Sequence, residues 1–313
     1  MKKALVIGID DYPTAPLQGC VNDAVAFANT IGTNGDGSPN FGVRLLTTIQ
    51  TKAQLKAAVT ELYQGPCDVA LLYFSGHGLL NATGGYLLAP DYHPNDEGLS
   101  MEQILVLLNA SQARDKIIIL DCCHSGAFGS PPSAGVATAQ LGEGIVILTA
   151  SRDREAAVEV NGHGVFTSLL LSALQGGAAD LMGHITPGSV YAYIDQALGA
   201  WEQRPVFKTN VTRFTSLRTI TPTVSPDVIR KLTTYFPAPE DVFPLNPTFE
   251  DMNKELAVPE NVAIFKHLQK YQSVGLVVPV DAEFMFFAAQ NSTACKLTAL
   301  GYHYWRLVKD GRI

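Results

Sequence analysis

The sequence predicts an α/β fold in which helices flank a mostly parallel sheet. Short apolar segments rich in β-branched residues are typical of buried parallel strands. Helical patterns lie between those segments, as in a doubly wound sheet. The predicted strands are Ala4–Ile9, Val43–Thr47, Val69–Phe74, Ile117–Leu120 and Ile145–Thr149. The predicted helices are Leu17–Ile31, Lys52–Tyr63, Met101–Asn109, Val165–Leu174 and Val190–Trp201.

The composition is that of a globular enzyme with a hydrophobic core. The chain has 313 residues, of which 47% are hydrophobic and 16% charged, and its formal net charge is -7. Binding of nucleic acid needs clustered Lys and Arg, so this class of function is not expected. The apolar run after Met1 ends at Asp10 and Asp11, which favours a first strand over a signal peptide. No run is long enough for a membrane span. Five cysteines do not indicate a disulfide scaffold, so we expect a cytoplasmic protein.

The composition changes after residue 219, which predicts three segments. Residues 1–219 form the main domain, residues 220–259 a proline-rich linker, and residues 260–313 a small C-terminal module. The module is predicted to be α+β and winged-helix-like, with short strands at Gly275–Val280 and Glu283–Phe287. Helices are predicted at Val262–Tyr271 and Cys295–Val308. Its basic residues are scattered, so a regulatory or protein-interaction role is favoured over DNA binding.

Two motifs carry the predicted chemistry, and each follows a predicted strand. They are YFSGHG at Tyr73–Gly78 and DCCHSG at Asp121–Gly126. The carboxyl ends of parallel strands meet at one edge of a sheet, where ligands bind. A cysteine nucleophile needs a group that takes and returns its proton, and histidine does this near neutral pH. His77 is the predicted base, because His124 adjoins the cysteines and neighbouring residues of a strand point to opposite sides.

These motifs, in this order, resemble those of the caspase and metacaspase superfamily of cysteine peptidases, particularly prokaryotic metacaspase-like members. Further matching segments are ALVIGIDDY, GCVNDA, YLLAPD, LTAS, GHGVFT and QRPVF, so that the resemblance covers residues 1–215. It implies a cysteine endopeptidase with Cys123, immediately before HSG, as the nucleophile and His77 as its partner. It also implies an oxyanion hole formed by the backbone N–H groups of Gly78 and Cys123. Cys122 is then expected to be a buried structural thiol.

The resemblance also implies a preference for Arg or Lys before the cleaved bond. The residues that resemble the acidic S1 pocket of metacaspases are Asp23 and Asp121, with Ser75 as a further lining residue. A buried pair of carboxylates suits a guanidinium or ammonium group. Two alternatives remain open. Asp23 could cap a helix or lie on its surface, and Asp121 could form an ion pair or a hydrogen bond at the strand end.

Many metacaspases need calcium, for which this chain offers Asp91, Asp96 and Glu97. Calcium prefers six or more oxygen ligands. The acid that usually follows the catalytic cysteine is missing, because the segment AFGSPPSAG contains no carboxylate. We therefore expect that no cofactor is required, and a weak calcium site stays open as the alternative.

Activation is predicted to depend on a zymogen cut or on a protein partner that binds the C-terminal module. Caspase relatives are often cut near the loop Ala127–Gly144, yet no Lys or Arg lies between Lys116 and Arg152. Self-cleavage after a basic residue would therefore occur after Arg152 or Arg154, or around the linker, after Arg213, Arg218, Arg230 or Lys231. The resemblance implies a monomer that acts on protein substrates as an effector in a bacterial stress or anti-phage pathway. A catalytically inactive adaptor is the alternative.

Overall fold

The computed structural model describes residues 1–122, 141–150, 159–160, 163–198, 204–252 and 254–313. The chain divides into two compact units. The first unit comprises residues 1–179 and 184–220, and the second unit comprises residues 180–183 and 221–313. None of the helices in these described ranges is long and apolar enough to cross a membrane.

The first unit alternates strands and helices, as the sequence predicts. In chain order its strands are β1 (Lys2–Gly8), β2 (Gly42–Leu46), β3 (Val69–Ser75), β4 (Gly78–Asn81), β5 (Gly84–Leu87), β6 (Leu99–Ser100), β7 (Asp115–Asp121), β8 (Ile145–Thr149), β9 (Glu159–Val160), β10 (His163–Gly164), β11 (His184–Ile185), β12 (Val206–Asn210) and β13 (Arg218–Thr219). Its helices are α1 (Cys20–Gly32), α2 (Lys52–Leu62), α3 (Met101–Ala110), α4 (Val165–Ser172) and α5 (Pro187–Leu198).

Six of these strands form the central sheet, in the order β12-β8-β7-β3-β1-β2. All neighbouring pairs are parallel except β12 and β8, which are antiparallel. The predicted mostly parallel sheet flanked by helices is therefore confirmed. The edge strand β12 was not predicted, because its sequence VFKTN is short and its second half is exposed.

The sheet is covered on both faces because successive side chains of a strand point to opposite sides. Leu72 and Phe74 of β3 join the core that α2 and α3 cover. Leu71 and Tyr73 of the same strand join the core formed with α1, α4 and α5. Both faces are thus buried, which explains the continuous apolar runs of the central strands.

The carboxyl ends of three central strands are level, and this positions the site. Gly8 of β1 lies beside Ser75 of β3, and Ser75 lies beside Asp121 of β7. The YFSGHG and DCCHSG motifs therefore continue from adjacent strands at the same edge. The chain after β3 turns directly into the antiparallel sheet β4-β5-β6.

The second unit combines helices with a three-stranded antiparallel sheet. Its strands are β14 (Val242–Pro244), β15 (Val277–Val280) and β16 (Ala294–Leu297), in the order β14-β16-β15. Its helices are α6 (Pro226–Arg230), α7 (Leu232–Tyr235), α8 (Pro259–Ser273), α9 (Met285–Gln290) and α10 (Ala299–Lys309). The unit is therefore α+β, and the winged-helix-like arrangement stays a prediction.

The proline-rich segment 220–259 differs from the linker expected of it, because nearly all of it lies within the second unit. Val224, Ile229, Phe236 and Leu245 are buried in that unit's core. Prolines do not prevent this packing where they occupy the first turn of a helix, since the N–H that proline lacks has no partner there. Pro226 begins α6 in this way.

Two predictions within the C-terminal segment are corrected. Glu283–Phe287 was expected to form a strand, but Met285–Gln290 forms helix α9, which buries Met285 and Ala289 four residues apart. The aromatic residues raise the strand propensity, whereas the helical spacing of the buried residues decides the structure. The helix expected at Cys295–Val308 divides into β16 and α10. It divides because the Thr298 hydroxyl accepts the Gly301 N–H and caps α10.

Candidate active site

His77 follows β3 and is held in place by Tyr12. The His77 backbone N–H donates to the Tyr12 hydroxyl oxygen at 3.0 Å, and that hydroxyl donates to the Leu88 carbonyl at 3.2 Å. The Tyr12 ring also packs edge-on against the imidazole, with 4.5 Å between ring centroids. Burial raises the pKa of Tyr12 well above its ordinary value, so its hydroxyl stays protonated and continues to donate.

A backbone carbonyl fixes the tautomer of His77. The imidazole Nε2 lies 2.7 Å from the carbonyl oxygen of Ala15. A carbonyl only accepts hydrogen bonds, so Nε2 carries the ring proton in the neutral imidazole. Nδ1 is then the nitrogen that can accept a proton from a nucleophile.

The loop that supplies Tyr12 and Ala15 is itself fixed by Asp10. The Asp10 carboxylate accepts the N–H groups of Cys20, at 2.9 Å, and Val21, at 3.3 Å, at the start of α1. The carbonyl of Asp10 accepts the N–H of Tyr12 at 2.9 Å. A carboxylate at a helix N-terminus is stabilised by the exposed N–H groups there. Asp10 thus connects the loop that holds His77 to α1, the helix that carries Asp23.

Asp121 and Cys122 end β7 on opposite faces of the sheet. Cys122 is 1% exposed and packs with Phe74 and Leu120 in the core under α2 and α3. Asp121 is buried on the other face, the side of Tyr73. This placement agrees with a structural role for Cys122. The predicted nucleophile Cys123 and its neighbour His124 lie outside the described residues.

Asp23 and Asp121 converge on the backbone of Gly164. Asp23 is 2% exposed, and its Oδ2 accepts the Gly164 N–H at 2.9 Å. Asp121 is 6% exposed, and its Oδ2 accepts the Thr167 hydroxyl at 2.6 Å. A Cβ atom at Gly164 would lie 2.6 Å from Asp121 Oδ2 and 3.2 Å from Asp23 Oδ2. The close approach of the two carboxylates to this backbone therefore requires glycine.

Burial bears on the alternatives left open by the sequence: it removes a surface position for Asp23, while Asp121 does form a hydrogen bond at the strand end. Asp23 does not lie on the helix surface, and its Oδ2 accepts the N–H of Gly164, 141 residues along the chain. Ser75, the third predicted pocket residue, is 2% exposed and lies beside Asp121 in the sheet register. Gly78, predicted for the oxyanion hole, begins β4 directly after His77.

The caspase domain family matches residues 1–215 of this chain. The chain belongs to the caspase-domain peptidases. This confirms the predicted resemblance and identifies the first unit as a caspase-like domain of the cysteine peptidase kind. No curated protein matches the chain.

A solved caspase structure supports the caspase fold. Caspase-1 from Spodoptera frugiperda is 12% identical, with a TM-score of 0.51, and the match covers 70% of this chain and 90% of the insect protein. A protein from Geobacter sulfurreducens is 18% identical, with a TM-score of 0.49, and the match covers 70% of this chain and 99% of the other. At this identity the insect structure supports the fold alone.

Among the residues that the structure describes, the carboxylates considered for calcium are not grouped into one site. Asp91 is exposed, and its Oδ1 accepts the backbone N–H of Lys52 at 2.8 Å. Asp96 is exposed and forms an ion pair with the ammonium group of the same Lys52. Within the described ranges no three His, Cys, Asp or Glu side chains are grouped to hold a metal ion. Asp91, Asp96 and Glu97 therefore do not fit calcium, which needs six or more oxygen ligands.

The sequence did not single out the support of His77. Tyr12 and Asp10 lie in ALVIGIDDY, which was used only for its resemblance to the superfamily. Asp10 and Tyr12 follow the apolar strand β1, and this position could have indicated a role at the site, since residues after parallel strands line the edge of the sheet where ligands bind. Ala15 offered no signal, because its contribution is a backbone carbonyl.

Proposed function

We propose that this chain is a cysteine endopeptidase that cuts proteins after Arg or Lys, with Cys123 as nucleophile and His77 as its acid/base partner. One observation carries the specificity. Asp23 and Asp121 are buried and converge on Gly164 at the edge of the sheet from which the His77 segment continues.

The electrostatics of that pair favour a basic side chain. Two carboxylates close together repel each other, and burial deprives both of water. A guanidinium or ammonium group compensates both charges, and the planar guanidinium can donate to two carboxylates at once. Ser75 supplies a hydroxyl at the same strand level. An Asp side chain before the cleaved bond would instead add a third negative charge, so a preference for Asp is disfavoured.

The held tautomer of His77 supports the catalytic step. Nδ1 takes the proton of the Cys123 thiol, and the thiolate attacks the carbonyl carbon of the cleaved bond. The backbone N–H groups of Gly78 and Cys123 stabilise the oxyanion that forms. His77 then gives its proton to the departing amine as the C–N bond breaks and a thioester remains. Water, deprotonated by His77, hydrolyses the thioester, and the released thiolate recovers its proton.

Fluorogenic peptides ending in Arg, Lys or Asp test this proposal directly. Purified full-length protein is assayed with each peptide, beside a Cys123→Ala variant that keeps the fold and lacks the thiol. The expected result is cleavage after Arg and Lys that is absent in the variant. Cleavage after Asp would overturn the pocket assignment. If the protein cuts no peptide but binds protein ligands through its first unit, this result would favour the inactive adaptor.

We further propose that the enzyme is a regulated effector in a bacterial stress or anti-phage pathway, with the second unit as the binding site of an activating or inhibitory protein.

Activation by self-cleavage after a basic residue requires an Arg or Lys whose side chain is available to the S1 pocket. Arg218 is unsuited, because its guanidinium donates to the carbonyls of Thr33 and Leu174, each at 2.8 Å. The remaining candidate sites are Arg152, Arg154, Arg213, Arg230 and Lys231. Mass spectrometry of incubated enzyme, with Cys123→Ala as control, should find cuts there. Full activity from an intact chain would contradict self-cleavage.

A further inference from the structure

A buried chain of hydrogen bonds leads from the core of the sheet to Asp121. The side chains of Tyr73 and Thr167 are fully buried, and their hydroxyl oxygens lie 2.6 Å apart. The Thr167 oxygen also lies 2.6 Å from Asp121 Oδ2. An ionised carboxylate can only accept, so Thr167 donates to Asp121 and accepts from Tyr73. All donors in the chain therefore point towards the carboxylate.

Tyr73 remains a donor at any ordinary pH. Burial raises the pKa of its hydroxyl well above the usual value, and the nearby Asp121 carboxylate raises it further. The ring is fixed as well, because it stacks on Phe27 of α1 with 4.4 Å between centroids. The hydrogen bond from Tyr73 polarises the Thr167 hydroxyl and strengthens its donation to Asp121.

The oxygen that receives this bond is the one that faces Gly164. A Cβ atom at Gly164 would lie 2.6 Å from Asp121 Oδ2 and 3.2 Å from Asp23 Oδ2, so both carboxylates face this backbone position. A carboxylate has one free torsion at its end and can rotate unless a directional bond holds it. The Thr167 hydrogen bond therefore restrains the orientation of Asp121 beside Asp23.

We propose that Thr167 and Tyr73 are positioning residues that hold Asp121 in the orientation that recognises a basic side chain before the cleaved bond. This inference rests on the proposed function, since it assigns the groups that set the specificity of the same pocket. It separates the recognition of the substrate from the chemistry, because neither hydroxyl belongs to the Cys123 and His77 pair.

The test compares Thr167→Val, which removes the hydroxyl and keeps the shape, with Thr167→Ser, which keeps the hydroxyl. KM and kcat are measured with peptides ending in Arg and in Lys. Hydrogen bonds to charged groups predict a rise in KM of about tenfold or more for Thr167→Val, and a change of no more than about threefold for Thr167→Ser. Tyr73→Phe leaves Thr167 bonded to Asp121, so a smaller rise of about threefold is expected.

Thr149→Val is the matched control. Thr149 is buried at the end of β8, level with Leu120 of β7, and its hydroxyl has no hydrogen-bond partner among the residues that the structure describes. The same substitution there should leave KM unchanged. The rate at which iodoacetamide alkylates Cys123 should be unchanged in every variant, because it reports the dyad without the pocket.

The outcomes separate this inference from the proposed function. A KM that rises in Thr167→Val and returns in Thr167→Ser supports positioning. An unchanged KM in Thr167→Val, with wild-type enzyme that cuts after Arg, overturns the positioning role and leaves the proposed function intact. If Thr167→Val fails to fold, an unchanged KM in Tyr73→Phe has the same meaning. Wild-type enzyme that cuts after neither Arg nor Lys overturns the proposed function and this inference together.

Discussion

Two groups of carboxylates in the caspase domain are placed in opposite ways. Asp23 and Asp121 are buried, and neutral donors, the Gly164 N–H and the Thr167 hydroxyl, bind them. Asp91 and Asp96 are exposed; the Lys52 ammonium group forms an ion pair with Asp96, and Asp91 accepts the backbone N–H of Lys52. Burial weakens the screening of a carboxylate's charge by water, whereas exposure keeps that screening, and at Asp96 the ammonium group adds a compensating charge. The comparison supports the proposal that burial, and not the number of acids, distinguishes the pair of carboxylates that would receive a basic side chain.

The largest expected effect comes from removing the charge of Asp121. Asp121→Asn keeps the shape and an acceptor for Thr167, but it removes half of the negative charge that a basic substrate meets. Losing one partner of a buried charge pair predicts a fall in kcat/KM for Arg peptides of about 100-fold or more. Steady-state kinetics with Arg and Lys peptides measure it. Asp91→Asn is the matched control and should stay within about twofold of wild type.

The iodoacetamide rate separates a lost pocket from a lost fold in this comparison. Alkylation of Cys123 at the wild-type rate, together with the fall in kcat/KM, assigns the effect to recognition. A variant that cuts Arg peptides at the wild-type rate would show that Asp121 does not contact the substrate, and the comparison between the two groups would fail.

A smaller effect is expected from filling the space at Gly164. Gly164→Ala places a methyl group 2.6 Å from Asp121 Oδ2, closer than side chains approach in folded proteins. The carboxylate must move away, so we expect KM for Arg peptides to rise about tenfold, with kcat less affected. Gly65→Ala is a poor control because its φ is positive. Gly42→Ala, whose nearest contact is 3.7 Å, is suitable. An unchanged KM in Gly164→Ala would argue against a pocket bounded by this backbone.

Removing the Tyr12 hydroxyl tests the other half of the site. Tyr12→Phe keeps the ring against His77 but loses the acceptor of the His77 N–H. The value of a neutral hydrogen bond predicts a fall in kcat of about fivefold to tenfold, with KM nearly unchanged. Tyr86→Phe, which removes a hydroxyl bonded to Thr83, serves as control. A rise in KM with constant kcat would place Tyr12 in recognition and contradict its assignment to His77.

The smallest effect is predicted for calcium. Because Asp96 is paired with the Lys52 ammonium group and Asp91 accepts the Lys52 backbone N–H, chelation by EGTA should change kcat/KM by less than about twofold, and Asp96→Asn should do the same. The assays with and without added calcium use the same Arg peptide. Activity that appears only with calcium would show that a site exists outside these carboxylates.

The sequence predicts the sheet and the acidic residues better than it predicts their support. The strands of the first unit are evident because both faces of the sheet are buried, and the motifs then locate His77 and Asp121 at its edge. The Ala15 carbonyl is invisible to sequence reasoning, since every residue has one. Asp91 and Asp96 show the converse limit, because nearness in sequence does not fix where two carboxylates point.

The second unit shows how tertiary packing overrides composition. Its prolines indicate irregular structure, yet those at the start of helices are compatible with a packed core. The strand was expected at Glu283–Phe287 because aromatic residues favour strands. Helix α9 forms there instead, because the helix buries one face of the segment in the core.

The measurement that tests the central claim most directly is the cleavage of a peptide library that carries every amino acid before the cut. Wild-type enzyme and Asp121→Asn are digested in parallel, with Cys123→Ala as the blank, and the products are identified by mass spectrometry. Two buried carboxylates at Gly164 predict cuts after Arg and Lys alone, and the loss of both in Asp121→Asn. Cuts after Asp or after apolar residues, with the same pattern in both proteins, would contradict the assignment of Asp23 and Asp121 to the pocket.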